Sequence, residues 1–263
     1  MPIIEIPEFY TKAPTQEQVS QWEATLWEDG LVIIPNALPP ATVDHFRRRM
    51  ETLPDSYGYG PNSLVRLFEQ GMDFVGLMEN EPALSLMERI LGANLHIMAL
   101  QGHRMRAGTE VLAYHADELY LHLPPNWPPE AELPPIINAV NCHYYLVDVP
   151  EELGPTMVVP GSHRSGRSPL IEDGTPPQWR GRGPIAATLK AGDCLLYSNA
   201  CWHSGSPNRT DRHRLSVVVG YTRRFVAQRF YPFLNYNLSR DILDRCTPRQ
   251  RELLGEHPRG AYG

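Results

Sequence analysis

The sequence predicts a mainly β protein in which helices flank a sandwich or barrel of strands. Apolar residues recur at helical spacing through about residues 14–92, whereas from about residue 95 the spacing changes towards two. Between about residues 95 and 225, short runs rich in valine, isoleucine and tyrosine are separated by turn residues, a pattern typical of sandwiches and barrels. The chain has 263 residues and can bury one sizeable core, so a single domain with a C-terminal tail at 226–263 is expected.

The first third of the chain is predicted to contain three helical segments. These segments are 16–29, 39–53 and 66–91. The first ends at Asp29-Gly30, where glycine is a common stop signal, and the third is divided at Pro82 because proline has no backbone donor. A β-branched run at 31–35 predicts a strand between the first two helices.

The remaining strands are predicted from alternation and from β-branched residues. They are 95–106, 109–117, 136–149, 156–160, 185–189, 193–197 and 215–222. The tail has one amphipathic segment at 242–254. Proline clusters at 124–135 and 169–184 are interpreted as ordered loops or lids, since hydrophobic segments flank both.

Composition and charge exclude several classes of function. The chain is 42% hydrophobic and 21% charged, and it has no apolar run that could span a bilayer and no secretory signal, so no membrane partner is expected. Its four cysteines form no CxxC pair, which favours reduced thiols in a cytoplasmic protein. The net charge is −6, and aromatic residues do not interleave the basic stretch at 209–229, so nucleic acid is not an expected partner. That stretch is interpreted as a solvated rim whose arginines an anionic substrate could use. The expected partner is a small-molecule substrate, and a homodimer remains open.

The pattern His115-Ala116-Asp117 is interpreted, together with His203, as a metal site. If residues 111–117 run as a strand, His115 and Asp117 project from one face, roughly 7 Å apart along the backbone. His203 from another strand would complete two histidines and one carboxylate on one side of a metal, as in non-haem Fe(II) oxygenases. The opposite side stays open for a cosubstrate and dioxygen. A lone His-x-Asp pattern arises often by chance, so this interpretation depends on the residues that accompany it.

Arg214 is the residue that most strengthens the metal-site interpretation. It follows a turn at 204–208 and heads an apolar strand, so His203 and Arg214 would face one interior if their strands pair as a hairpin. Arginine offers a planar fork that matches a carboxylate. A dicarboxylate cosubstrate could therefore chelate iron at one end and contact Arg214 at the other.

Four motifs, which include the residues already described, follow one another within about residues 60–222. They are His115-Ala116-Asp117, the run from Leu153-Gly154-Pro155-Thr156 to Pro160-Gly161-Ser162-His163, Ala191-Gly192-Asp193, and His203-Ser204-Gly205 through Asn208 to Arg214. With these motifs the sequence resembles the phytanoyl-CoA dioxygenase family of Fe(II)/2-oxoglutarate-dependent oxygenases. The resemblance implies a double-stranded β-helix core, which is also called a jelly-roll or cupin-like fold.

The resemblance also implies roles for single residues. The implied iron ligands, which are also the catalytic residues, are His115, Asp117 and His203. Arg214 would bind the distal carboxylate of 2-oxoglutarate, with the hydroxyl of Thr156 beside it and Arg66 as a further cosubstrate contact. Leu112 stands where the family often has glutamine, so an apolar wall would replace one contact. The carboxylate of Asp117 disfavours halogenation, because the related halogenases carry glycine or alanine at that position.

The implied reaction oxidises a C–H bond of a small organic substrate with Fe(II), 2-oxoglutarate and O2, and it yields succinate and CO2. Hydroxylation is the default outcome, while desaturation and rearrangement stay open. The proline-rich loop and the tail favour a secondary metabolite, and a fatty acyl-CoA is the alternative substrate. Two rivals are a non-catalytic jelly-roll binding protein, which would have no need of Arg214, and a metal-dependent hydrolase. The hydrolase would need Glu110 or Glu118 beside the metal, but strand alternation places both away from the ligand face.

Several other residues receive weaker interpretations. Asn141 and His143 alternate on their predicted strand and are candidates for lining the interior. The turn at 160–163 is interpreted as structural. Tyr120 and Trp127 are candidates for an aromatic lid over the metal.

Overall fold

The computed structural model describes residues 14–54, 62–110, 112–117, 131–171, 173–230 and 236–257, with residues 123, 126 and 128 between them. In these ranges the helices are α1 (Gln16–Asp29), α2 (Pro40–Thr52), α3 (Met72–Leu77), α4 (Ala83–Leu91), α5 (Arg240–Leu243) and α6 (Pro248–Leu253). The strands are β1 (Leu31–Ile34), β2 (Ser63–Leu64), β3 (His96–Met105), β4 (Leu112–His115), β5 (Ala139–Tyr145), β6 (Thr156–Val158), β7 (Ile185–Ala186), β8 (Cys194–Ser198), β9 (His203–Gly205) and β10 (Arg214–Thr222). The predicted division at Pro82 is confirmed, since α3 and α4 lie on either side of it.

Helix α1 is capped at both ends, and its predicted stop at Gly30 is confirmed. Thr15 forms a capping box with Gln18, which satisfies two N–H groups at the start of the helix. At the other end Gly30 adopts a left-handed conformation with φ of 73°. A Cβ atom at Gly30 would lie 2.4 Å from both Cys201 Sγ and His163 Nδ1. This glycine therefore ends the helix and also lets the chain pass close to the segment that precedes β9.

The described strands form two antiparallel sheets. The larger sheet has the order β1-β8-β5-β10-β3-β2, and the smaller has the order β4-β9-β6-β7. The central strands β5 and β10 are buried along their whole length. The structure thus has the two-sheet core that a jelly roll requires.

Side chains of the central strands alternate between two environments, because successive residues of a strand face opposite sides. The outward positions of β5 pack with the apolar residues of the helices in the main core; they are Val140, Cys142 and Tyr144. The inward positions, which face the smaller sheet, are Asn141, His143 and Tyr145. In β10 the alternation that begins at Arg214 follows the same inner face, since Ser216 lies opposite Tyr145. Polar side chains therefore line the space between the two sheets.

Two predictions about the strands are wrong. Strand β4, whose pairing with β9 shifts register between Leu112 and His115, ends at His115. Asp117 lies in a bend, where its N–H donates to the carbonyl oxygen of Asn199. Strands β9 and β10 do not pair as a hairpin: β9 pairs with β4 and β6, whereas β10 pairs with β3 and β5. His203 and Arg214 approach the interior from opposite sheets.

The tail also differs from its prediction. The expected amphipathic segment at 242–254 is divided between α5 and α6, and a capping box of Thr247 with Gln250 starts the second helix. Within the described ranges, no helix combines the length and the apolar character needed to cross a membrane.

Candidate metal centre

His115 and His203 lie directly opposite each other on neighbouring strands of the smaller sheet. Strands β4 and β9 pair at this position, and the two ring centroids are 4.3 Å apart. The side chain of His203 is 8% exposed, whereas that of His115 is 36% exposed. The histidine pair is therefore open to solvent on the β4 side.

Asp117 joins the two histidines from the bend after β4. Its N–H donates to the carbonyl oxygen of Asn199 at 2.9 Å, which holds the bend against the turn between β8 and β9. Its Oδ1 lies 3.7 Å from Nε2 of His115, and its Oδ2 lies 3.9 Å from Nε2 of His203. One potential ligand atom from each residue lies within 4.8 Å of the other two. The structure thus brings together the three residues predicted to bind metal, through a bend rather than through strand alternation.

Each imidazole is held by a backbone carbonyl at the ring nitrogen remote from Asp117. His115 Nδ1 lies 2.8 Å from the oxygen of Ala113, and His203 Nδ1 lies 2.9 Å from that of Cys201. A carbonyl oxygen only accepts, so each Nδ1 carries a proton, and Nε2 is the ring nitrogen that can bind a metal. Burial lowers the pKa of His203, which favours its neutral form, although the charge of Asp117 opposes the shift. Metal-binding histidines are commonly oriented in this way.

A row of hydrogen bonds crosses the inner face of the larger sheet to Asp117. Asn141 Nδ2 donates to Asp117 Oδ2 at 3.2 Å and lies 3.5 Å from the hydroxyl of Tyr197. That hydroxyl is 3.1 Å from Nε2 of His143, and the Tyr197 ring packs 4.8 Å from the ring of His203. Burial, and then the charge of Asp117, raise the pKa of Tyr197 well above its usual value, so the hydroxyl stays protonated. The prediction that Asn141 and His143 line the interior is confirmed, and sequence reasoning missed Tyr197.

Arg214 is buried at the start of β10, facing the same interior. One of its terminal nitrogens donates to the carbonyl oxygen of Gly154, and its Nε has no hydrogen-bond partner among the described residues. Burial, with a smaller contribution from the charge of Arg214, lowers the pKa of His103 to about 4. His103 is therefore neutral near pH 7. A buried guanidinium beside a neutral imidazole is suited to bind an anion.

Thr156 and Tyr145 connect the two sheets beside Arg214. Their hydroxyls are 2.7 Å apart, and both side chains are buried. Burial raises the pKa of Tyr145, while the charge of Arg214 acts in the opposite direction, which places that guanidinium near the phenol. Sequence reasoning missed Tyr145, although its position two residues after His143 on a predicted strand could have found it.

Arg66 makes its contacts elsewhere in the described structure. Its Nε lies 3.4 Å from Oε2 of Glu69, and its guanidinium lies 5.1 Å from the centre of the Tyr236 ring. Its assignment to the cosubstrate stays a prediction. Other predicted positions lie outside what the structure describes; they are Glu118, Tyr120, Trp127 and the side chain of Leu112.

The turn at 160–163 supports the strand that carries the second histidine. Ser162 Oγ accepts a hydrogen bond from the N–H of Trp202 at 2.8 Å, and His163 Nε2 donates to a carbonyl oxygen of α1 at 3.2 Å. Burial lowers the pKa of His163 to about 4. These contacts agree with the structural role predicted for the turn.

Two histidines and one carboxylate between the sheets of a jelly roll form the metal-binding arrangement of non-haem iron oxygenases. The sequence matches the family described as Phytanoyl-CoA dioxygenase (PhyH) over residues 26–216. Because this match covers most of the chain, the protein belongs to the phytanoyl-CoA dioxygenase family and is an oxidoreductase of the dioxygenase type. The resemblance recognised in the sequence, and the fold class that it implied, are confirmed.

Named relatives are dioxygenases of fungi. Dioxygenase af480 of Aspergillus fumigatus is 24% identical over 261 residues, covering 95% of this chain and 72% of that protein. Dioxygenase ALT11 of Alternaria alternata is 24% identical over 271 residues, covering 95% of this chain and 85% of that protein. These matches extend over nearly the whole chain.

Solved structures share the fold at lower identity. The epimerase SnoN, in complex with Fe3+, alpha ketoglutarate and nogalamycin RO, is 21% identical with a TM-score of 0.65, covering 86% of this chain and 92% of that one. HygX from Streptomyces hygroscopicus, with nickel and 2-oxoglutarate bound, is 21% identical with a TM-score of 0.65, covering 82% and 90%. At this identity the comparison shows a common fold.

Proposed function

We propose that this protein is an Fe(II)/2-oxoglutarate-dependent dioxygenase that oxidises a C–H bond of a small organic substrate in natural-product biosynthesis. The observation that carries the proposal is the convergence of His115, Asp117 and His203, whose ligand atoms lie within 4.8 Å of one another. Arg214 supports it from the opposite sheet, where its buried guanidinium can hold the far end of a keto acid.

The donor set fits a ferrous ion. Two imidazoles and one carboxylate suit iron, and a metal–ligand distance of about 2.1 Å places two ligand atoms within about 4 Å of each other. The separations of 3.7 and 3.9 Å from the Asp117 oxygens to the two Nε2 atoms agree with this requirement. His115, Asp117 and His203 would therefore hold the metal.

The interior also fits 2-oxoglutarate. A buried polar atom without a partner is unusual, and the Nε of Arg214 is such an atom among the described residues. A carboxylate would accept from this guanidinium, and the hydroxyls of Thr156 and Tyr145 stand beside it. Because His103 is neutral, it adds no charge that would compete with Arg214 for the carboxylate.

When bound, iron and 2-oxoglutarate would use O2 to oxidise a substrate C–H bond, with succinate and CO2 as coproducts. The chain contributes positioning and the exclusion of water. Asn141 and Tyr197 hold the carboxylate and one imidazole, so the ligand atoms need little reorganisation. Hydroxylation is the proposed outcome.

Natural-product biosynthesis is supported by the proteins that share the fold. SnoN comes from nogalamycin biosynthesis, and HygX has been solved with hygromycin B bound. A cytoplasmic setting is also part of the proposal, and it is supported by four free, buried thiols.

The test measures Fe(II) binding anaerobically and then succinate formation with 2-oxoglutarate and O2. Asp117→Ala should weaken Fe(II) binding by more than about 100-fold, because even partners outside the ligand set contribute 10–100-fold. Asp44→Ala is the matched control, since Asp44 is half exposed and pairs with Arg47 on α2. Unchanged Fe(II) binding in Asp117→Ala, or turnover independent of O2 and 2-oxoglutarate, would refute the proposal.

A further inference from the structure

The segment that follows β10 places a cation beside the metal centre. The N–H of Arg229 donates to the carbonyl oxygen of Met98 at 2.7 Å, which anchors the backbone of this segment to β3. The Nη2 atom of Arg229 lies 3.4 Å from the main-chain oxygen of Asp117. Arg229 is exposed, so its guanidinium reaches the metal centre from the solvent side.

Arg229 differs from Arg223, the arginine with which this segment begins. The guanidinium of Arg223 donates to three carbonyl oxygens, those of Ile137, Ile90 and Leu91, and so closes the end of α4. Arg229 makes a single side-chain hydrogen bond to the described residues, and none of their carboxylates pairs with it. Most of its donors therefore have no partner among the described residues, and a ligand could use them.

The charges at the site indicate that this ligand is an anion. This step rests on the proposed function, because it counts the metal and the cosubstrate. The charges of Asp117, a ferrous ion, the two carboxylates of 2-oxoglutarate and Arg214 cancel one another. Arg229 adds a positive charge to this balance. A guanidinium close to a partly desolvated centre attracts an anion more strongly than one in free solvent does.

Apolar side chains lie at the same end of the central strands of the larger sheet. The N–H of Arg223 donates to the carbonyl oxygen of Asn138, which joins the segment after β10 to the residues before β5. Phe225 and Ile136 each lie two residues from this hydrogen bond, and they are 74% and 46% exposed. This end of the sheet therefore combines exposed apolar surface with the guanidinium of Arg229.

We propose that the substrate is an apolar carboxylic acid whose carboxylate is bound by Arg229. Phe225 and Ile136 would contact its hydrocarbon body. One guanidinium matches one carboxylate in a bidentate pair. A coenzyme A thioester carries several phosphates, which would need a cluster of cations.

The test uses protein loaded with Co(II) and 2-oxoglutarate, so that binding is measured without turnover. Decanoic, naphthoic and abietic acids, each paired with its primary amide, are titrated calorimetrically into the wild type, Arg229→Gln and Arg224→Gln. Arg224 is the matched control, because it is an arginine of the same segment whose charge acts on His96 and His257. Binding of Co(II) and 2-oxoglutarate is measured first in all three proteins.

At least one acid should bind the wild type about 10- to 100-fold more tightly than its amide, as expected for a hydrogen-bonded charged pair. Arg229→Gln should remove this difference while leaving the affinity for the amide unchanged, and Arg224→Gln should retain it. Added salt should weaken the binding of the acid and leave the binding of the amide unchanged.

Three results would overturn the inference while leaving the proposed function intact. They are that no acid binds more tightly than its amide, that Arg229→Gln weakens acid and amide equally, or that decanoyl-CoA binds tightly in a manner insensitive to Arg229→Gln. If the wild type binds neither Co(II) nor 2-oxoglutarate, the proposed function fails and the inference fails with it.

Discussion

The hydrogen bond from Asn141 to Asp117 predicts a specific effect on metal affinity. Asn141→Leu removes the 3.2 Å bond to Oδ2 of Asp117 and keeps a side chain with the same number and branching of heavy atoms. Hydrogen bonds to charged groups contribute about 1.5–3 kcal/mol, and this bond is at the long end of the normal range, so the lower value applies. Since about 1.4 kcal/mol corresponds to a factor of ten, Fe(II) affinity should fall about tenfold.

The assay is an anaerobic Fe(II) titration, combined with thermal unfolding of the metal-free protein. Asn199→Ala is the matched control: Asn199 is also buried and also adjoins Asp117, but only its main-chain oxygen makes that contact. This control should retain the affinity of the wild type. If Asn141→Leu binds Fe(II) as tightly as the wild type, or if its affinity falls only in proportion to lost stability, the row of hydrogen bonds does not position the carboxylate.

Two further predictions concern the cosubstrate and pH. Tyr145→Phe should raise the KM for 2-oxoglutarate several-fold with little change in kcat. The reason is that a neutral hydrogen bond, such as that between the hydroxyls of Tyr145 and Thr156, contributes about 1 kcal/mol. An unchanged KM would contradict this role. His163 has a pKa of about 4 in the folded protein, below the ordinary 6.5. The unfolded chain therefore binds more protons between pH 6.5 and 4, and the free energy of unfolding should fall by about 2 kcal/mol between pH 7 and pH 5 from this residue. Denaturant titrations should show a shallower pH dependence for His163→Gln, and an equal dependence would refute the assignment.

The features that could be predicted from the sequence are those that depend on residues close together in the chain. Thr15 and Gly30 carry end signals that act within one turn, so both ends of α1 follow from the sequence. The capping box of Thr247 with Gln250 could also have been recognised in the sequence, and it would have predicted a separate helix at the position of α6. The alternation along β5 likewise gave the inward-facing positions of Asn141 and His143.

Contacts between distant segments were not predictable in the same way. A hairpin of β9 and β10 is the local default, whereas the observed pairing of β9 with β4 joins His203 to His115 across most of the jelly roll. Asp117 reaches the cluster through a bend, and nothing in the spacing of a strand encodes that bend. The contact of Tyr145 with Thr156 depends on the packing of two sheets, so it appears only in three dimensions.

The central claim is that three side chains hold one ferrous ion while Arg214 binds the keto acid beside it. A crystal structure of the protein grown anaerobically with Fe(II) and 2-oxoglutarate tests this claim most directly. The account predicts one metal peak bonded to Nε2 of His115, Nε2 of His203 and the carboxylate of Asp117, with the far carboxylate of 2-oxoglutarate on Arg214. A metal bound elsewhere, or a keto acid that does not contact Arg214, would contradict it.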